Sequence, residues 1–84
     1  MSYEVVWETL ALDSATRFMK SDPEGLQQVF ATTDLLAENP RPDGTVAYGS
    51  PDLRRMRVGR YRLVYQIHQA QIRVAVMHLG RTSS

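Results

Sequence analysis

Arg54, Arg55, Arg57, Arg60 and Arg62 fall within a nine-residue stretch, and Arg81 follows near the C-terminus. A guanidinium stays charged at any physiological pH and grips a phosphate through two parallel N–H donors, which a lysine ammonium does less well. Several of them converging on one phosphorus also stabilise the extra charge of a phosphorane transition state. Convergence depends on alternation along strands. Read as two strands, the stretch projects Arg55, Arg57 and Arg62 from one face, with Arg60 and Arg81 nearby and Arg54 extending the basic surface.

RNA undergoes a reaction that needs little beyond such a surface. Its own 2′-hydroxyl attacks the adjacent phosphate, leaving a 2′,3′-cyclic phosphate and a 5′-hydroxyl. A protein aligns the groups, neutralises charge and moves two protons. Arginine is a poor proton acceptor, so the two histidines matter. His78, three residues before Arg81, is a candidate general acid or base. Simple alternation nevertheless gives it the parity of Val76, on the presumed core side. His68 falls at a turn. Tyr48, in a Pro- and Gly-rich segment, either stacks on a base or caps the edge of the core.

Charge is divided along the chain. Residues 1–52 hold all nine acidic residues and three basic ones; residues 53–84 hold seven arginines and no acid. A near-neutral total of +1 therefore hides a basic C-terminal half suited to an anionic partner. The absence of cysteine excludes disulfides, thiolate metal sites and thiol nucleophiles. With only two histidines, neither a metal site nor a cofactor is expected. No Walker, Rossmann or G-x-S-x-G pattern occurs. No apolar run approaches a membrane span, and the first residues lack a signal-peptide pattern, so a cytoplasmic protein without membrane contact is expected.

The elements that must position these groups follow from periodicity. Residues 3–8 are rich in strand formers. Leu12, Ala15, Phe18 and Met19 recur at helical spacing over residues 9–20. Asp22-Pro23 is an N-cap followed by a first-position proline, and Leu26, Val29, Phe30, Thr33, Leu36 and Ala37 continue a second helix to residue 38. Residues 39–51 read as a loop. Beyond it the period becomes two, over residues 53–58, 60–67 and 71–79. Tyr61, Leu63, Tyr65 and Ile67 share a face with Met56 and Val58, and Ile72, Val74 and Val76 join them; Arg60, Arg62, Val64 and Gln66 lie opposite. The expected fold is α+β, one domain over residues 1–84, in the order β-α-α-β-β-β. A helical hairpin packs on one face of a small, largely antiparallel sheet, and the other face is open.

Residues 51–67, Pro-Asp-Leu-Arg-Arg-Met-Arg-Val-Gly-Arg-Tyr-Arg-Leu-Val-Tyr-Gln-Ile, resemble the RelE/ParE superfamily of bacterial toxins from toxin–antitoxin systems. In that superfamily a basic strand precedes a "gYRLvYqv" strand, then a hydrophobic strand ends in Gly and a basic residue, as residues 72–81 do. The early strand, the hairpin ending in Ala-Glu-Asn-Pro and the loop match in order and length, so the resemblance covers nearly the whole chain.

The resemblance implies a ribosome-dependent endoribonuclease that cleaves mRNA in the A site and is held inactive by an acidic antitoxin wrapped around it, in a hetero-tetramer or larger assembly. RelE-type basic residues map onto Arg55 and Arg57, the phosphate-stabilising arginine of the "YRL" motif onto Arg62, and the basic residue after the final Gly onto Arg81. Two departures stand out. RelE-type enzymes commonly carry lysine at the Arg55 position, and many continue into a tail bearing a tyrosine or histidine. The alternatives are a ParE-like inhibitor of DNA gyrase, whose branch lacks the basic set, and a degenerate member that only binds its antitoxin.

Overall fold

A computed structural model describes residues 2–82. Its elements are β1 (Glu4–Trp7), α1 (Thr9–Ser21), α2 (Pro23–Asp34), β2 (Val46–Ser50), β3 (Leu53–Val58), β4 (Tyr61–His68) and β5 (Arg73–Arg81), with short 3₁₀ turns at Leu35–Ala37 and Gln69–Gln71. The strands form one sheet in the order β1-β5-β4-β3-β2. β1 runs parallel to β5, and the other neighbours are antiparallel.

The β-α-α-β-β-β order holds, with one strand added. The second half of the segment read as a loop pairs along β3 as an edge strand. All five of its residues are exposed, so no apolar alternation marks it in the sequence. Its pairing breaks between Ala47 and Ser50, where Gly49 supplies a φ of +86° that a side chain would resist. Arg54 ties the preceding loop down, donating to Thr45 Oγ1 and to the carbonyls of Thr45 and Pro51. The Tyr65 hydroxyl donates to the Pro40 carbonyl at 2.7 Å, and burial pushes that phenol up from its ordinary pKa.

The helices cover one sheet face. Ala11 and Ala15 are the buried residues of α1, small enough to let the helix lie close to the sheet. Leu26, Val29, Thr33 and Leu36 form the buried stripe of α2 and its 3₁₀ extension, at helical spacing. Asp22 starts α2 as foreseen: its carboxylate accepts from Gly25 N at 3.1 Å, with Pro23 in the first turn. Gly25 is fixed by that cap, because a Cβ there would lie 2.2 Å from Asp22 Oδ2. From the sheet, Met56, Tyr61, Leu63, Tyr65, Ile67, Val74, Val76 and Leu79 complete the core. Trp7 packs on Phe30, their ring centroids 4.9 Å apart. Each fully buried aliphatic or aromatic side chain contributes about 1.5–3 kcal/mol, which makes this the dominant favourable term.

Two departures from simple alternation shape β5. Ile72, expected in the core set, instead sits in the turn before the strand, exposed and left-handed at φ +52°. Its carbonyl accepts from Glu4 N at 2.9 Å, so the strained turn seats β1. Farther on, Tyr65 pairs with Val76 but Val64 pairs with His78. Met77 is the extra residue of a β-bulge, and every side chain after it changes face.

Candidate phosphate-binding face

β3 and β4 set the centre of the open face. Their register pairs Arg57 with Arg62 directly and Arg55 with Val64. Met56 and Leu63, one residue away on each strand, anchor in the core, so all three arginines are driven outward. They are exposed, and among the described residues none has an ion-pair partner. With Val46, Val64 and Gly44 they border a shallow concavity of about 450 Å³. Like charges directly opposite on a sheet repel, costing a few tenths to about 1 kcal/mol. Arg57 and Arg62 face each other as exposed like charges on neighbouring strands.

Tyr48 helps to fix the third arginine. The Arg55 guanidinium lies 4.9 Å from the Tyr48 ring centroid, in cation–π range. Tyr48 is half exposed on the edge strand and does not cap the core. The placement follows from strand β2: Tyr48 shares the parity of Val46, which pairs with Arg55, so it lies on the open side of the sheet.

Three expected members of the basic surface are elsewhere. Arg81 pairs with the core residue Tyr61, so it lies on the helical face. There its guanidinium sits 4.6 Å from the Phe18 ring and donates to Ser21 Oγ at 3.0 Å. Arg60, which occupies the β3–β4 turn, forms an ion pair with Asp22 at 3.3 Å. Arg54 faces the loop it clamps. These are corrections to the expectation that Arg81, Arg60 and Arg54 join the cluster. Arg81 is displaced by the bulge, Arg60 by its turn position, and Arg54 by its alternation with Arg55.

The bulge acts oppositely on His78. The expected parity with Val76 put it in the core; the extra residue Met77 turns it onto the open face, where it is exposed and Leu79 takes the core position instead. One signal of this was present in the sequence. Val74 and Val76 share one parity and Leu79 has the other, so a strand burying all three requires a bulge. His68 is also exposed but lies at the far end of β4, opposite Arg73, which pairs with Glu4 at 3.1 Å.

Behind the sheet, Asp22 collects the opposing charge. Its Oδ2 accepts from the Tyr61 hydroxyl at 2.7 Å as well as from Arg60. The Tyr61 hydrogen bond first, then the Gly25 amide and the Arg60 guanidinium, hold the Asp22 carboxyl below the usual carboxylate range.

Comparison with known proteins gives a family and a fold. The family model described as "ParE toxin of type II toxin-antitoxin system, parDE" matches residues 5–84. No curated protein matches in sequence. Among solved structures, an arginine double mutant of the E. coli toxin RelE in complex with an antitoxin RelBc peptide is 27% identical, with a TM-score of 0.70, covering 100% of this chain and 87% of that one. A free form of the same RelE mutant is 24% identical, with a TM-score of 0.80 and coverage of 96% and 84%. The archaeal RelE–RelB complex from Pyrococcus horikoshii is 21% identical, with a TM-score of 0.78 and 96% coverage of both chains. The last two are similarities of fold.

Proposed function

The chain belongs to the RelE/ParE superfamily of toxins from toxin–antitoxin systems, and from that premise we propose that it is an endoribonuclease cleaving mRNA in the ribosomal A site. The observation that carries the reading is the Arg55, Arg57 and Arg62 face: three exposed guanidiniums with no ion-pair partner among the described residues, two of them directly opposed across neighbouring strands. Such a surface suits a bridging phosphate and the charge that grows on it in a phosphorane. In this mechanism Arg57 and Arg62 clamp the scissile phosphate from adjacent strands. Arg55, steadied by Tyr48, contacts the same or a neighbouring phosphate, and Tyr48 offers a ring for a base to stack on. The 2′-hydroxyl attacks in line, the P–O5′ bond breaks, and the products are a 2′,3′-cyclic phosphate and a 5′-hydroxyl.

An antitoxin is the natural partner. The solved RelE–RelB complexes of similar fold support one here, and an acidic segment lying over the arginine face would remove the Arg57–Arg62 repulsion while it blocks RNA.

A second reading has its own support. The matching family model is that of ParE toxins, and no carboxylate or lysine stands among the three arginines. On that reading the toxin inhibits DNA gyrase by binding it and cleaves nothing. At the level of family the comparisons favour this second reading; at the level of the site's chemistry the arginine face favours the first. Two assays on the purified toxin separate them. Cleavage of mRNA on programmed ribosomes, with gyrase supercoiling unaffected, is the expected result. Gyrase inhibition with intact mRNA overturns the endoribonuclease assignment.

A further inference from the structure

We propose that His78 is the proton-transfer residue of this site, an inference that rests on the endoribonuclease reading above. Cleavage through the 2′-hydroxyl needs a group that takes a proton at neutral pH, and arginine does not serve. The register names what else the open face holds. One row across the sheet runs Val46, Arg55, Val64, His78; the next runs Arg57, Arg62, Gly80; on the other side lie Leu53, Gln66, Ala75 and Val6. His78 is the one side chain in these rows whose neutral form carries a ring nitrogen able to accept a proton.

Its position fits the task. Arg62 pairs with Gly80, and His78 is two residues from Gly80, so His78 and Arg62 are diagonal neighbours with Cα atoms about 7–8 Å apart. An imidazole and a guanidinium so placed approach one phosphodiester from two sides. The bulge at Met77 is what brings this about, and bulges recur beside active sites where they re-aim a side chain. No such gain attends the other histidine. His68 lies four residues beyond Val64 on β4, about 13 Å along the strand.

The charged groups around His78 are Arg62 on β4, Arg55 and Arg57 on β3, and Glu8 just after β1, whose amide donates to the Val76 carbonyl at 2.9 Å. Among the described residues none forms an ion pair with His78. Neutral imidazole takes the 2′-hydroxyl proton as the 2′-O–P bond forms. The P–O5′ bond breaks, and the imidazolium returns its proton through water to the departing 5′-oxygen.

The test is single-turnover mRNA cleavage on programmed ribosomes across about pH 5 to 8, comparing wild type, His78→Gln, His78→Ala and His68→Gln. Wild type is expected to show a rate that rises with pH along a one-proton limb and then levels. His78→Gln loses about 10²–10⁴ in rate and the limb with it, while ribosome association stays within about twofold because the arginines that bind phosphate are intact. Imidazole added to the buffer restores part of the rate of His78→Ala, and His68→Gln matches wild type. A His78→Gln protein that cleaves at the wild-type rate with the same limb overturns the role of His78 and leaves the endoribonuclease reading standing. Wild-type protein that does not cleave at any pH overturns that reading, and this inference with it.

Discussion

Arg62 and Arg81 carry the same group on opposite faces of one sheet, and they should fail in opposite ways. On the proposed mechanism, replacing Arg62 with Ala removes a forked donor from the place where charge grows, which typically costs about 10²–10³ in rate. Its side chain is exposed and unpaired, so the thermal midpoint should hold or rise slightly as the repulsion with Arg57 disappears. Arg62→Lys keeps the charge and loses the fork, and rescue should be partial. Arg81→Ala should show the reverse pattern. It loses the Phe18 contact and the Ser21 hydrogen bond, about 1 kcal/mol of stability, and cleaves normally. Chemical denaturation and ribosomal cleavage of the two variants check both halves. Equal loss of activity in both would return Arg81 to the site.

At the scale of elements, the sequence revealed what periodicity encodes and concealed what pairing decides. Both helices, the Asp22-Pro23 start of α2 and the core face of β4 follow from spacing and cap chemistry alone. Arg55, Arg57 and Arg62 were legible because each is flanked by a residue that must be buried. The strand β2 was not, since none of its residues is buried, and the β5 bulge exchanged the expected places of His78 and Arg81. Asp22 was legible as a cap but not as the junction that also receives Tyr61 and Arg60 from the sheet. That junction sets a pH dependence. Because the folded pKa of Asp22 is depressed, its stabilisation is fully present above the unfolded-state carboxylate range and fades as pH falls through the lower folded value. Asp22→Asn should therefore lower the thermal midpoint at neutral pH, and the gap from wild type should close below the ordinary carboxylate range. A gap that persists unchanged into strong acid would show that the charge of Asp22 contributes nothing.

At the scale of the whole molecule, binding through several arginines has a measurable signature. Each phosphate neutralised releases counterions, so ribosome association should weaken steeply with salt, and Arg62→Ala should reduce the slope of log K against log salt by about 1. A flat response would place RNA contact away from the arginine face. No helix among the described residues is long and apolar enough to cross a membrane. The layering has one more consequence. Residues 9–38, the helical layer, carry five acidic and two basic residues, and Arg60 and Arg81 lie against that layer, whereas among the described residues Arg55, Arg57 and Arg62 on the far side have no ion-pair partner. Cationic charge without a counter-charge is thus concentrated on one face, in a molecule whose net charge is only +1. Near a polyanion the field gradient draws such a body in only weakly as a whole, but the field exerts a torque on it. On the proposed reading, such a torque turns the toxin before it touches RNA, and the face that should arrive first is the one bearing Arg55, Arg57 and Arg62.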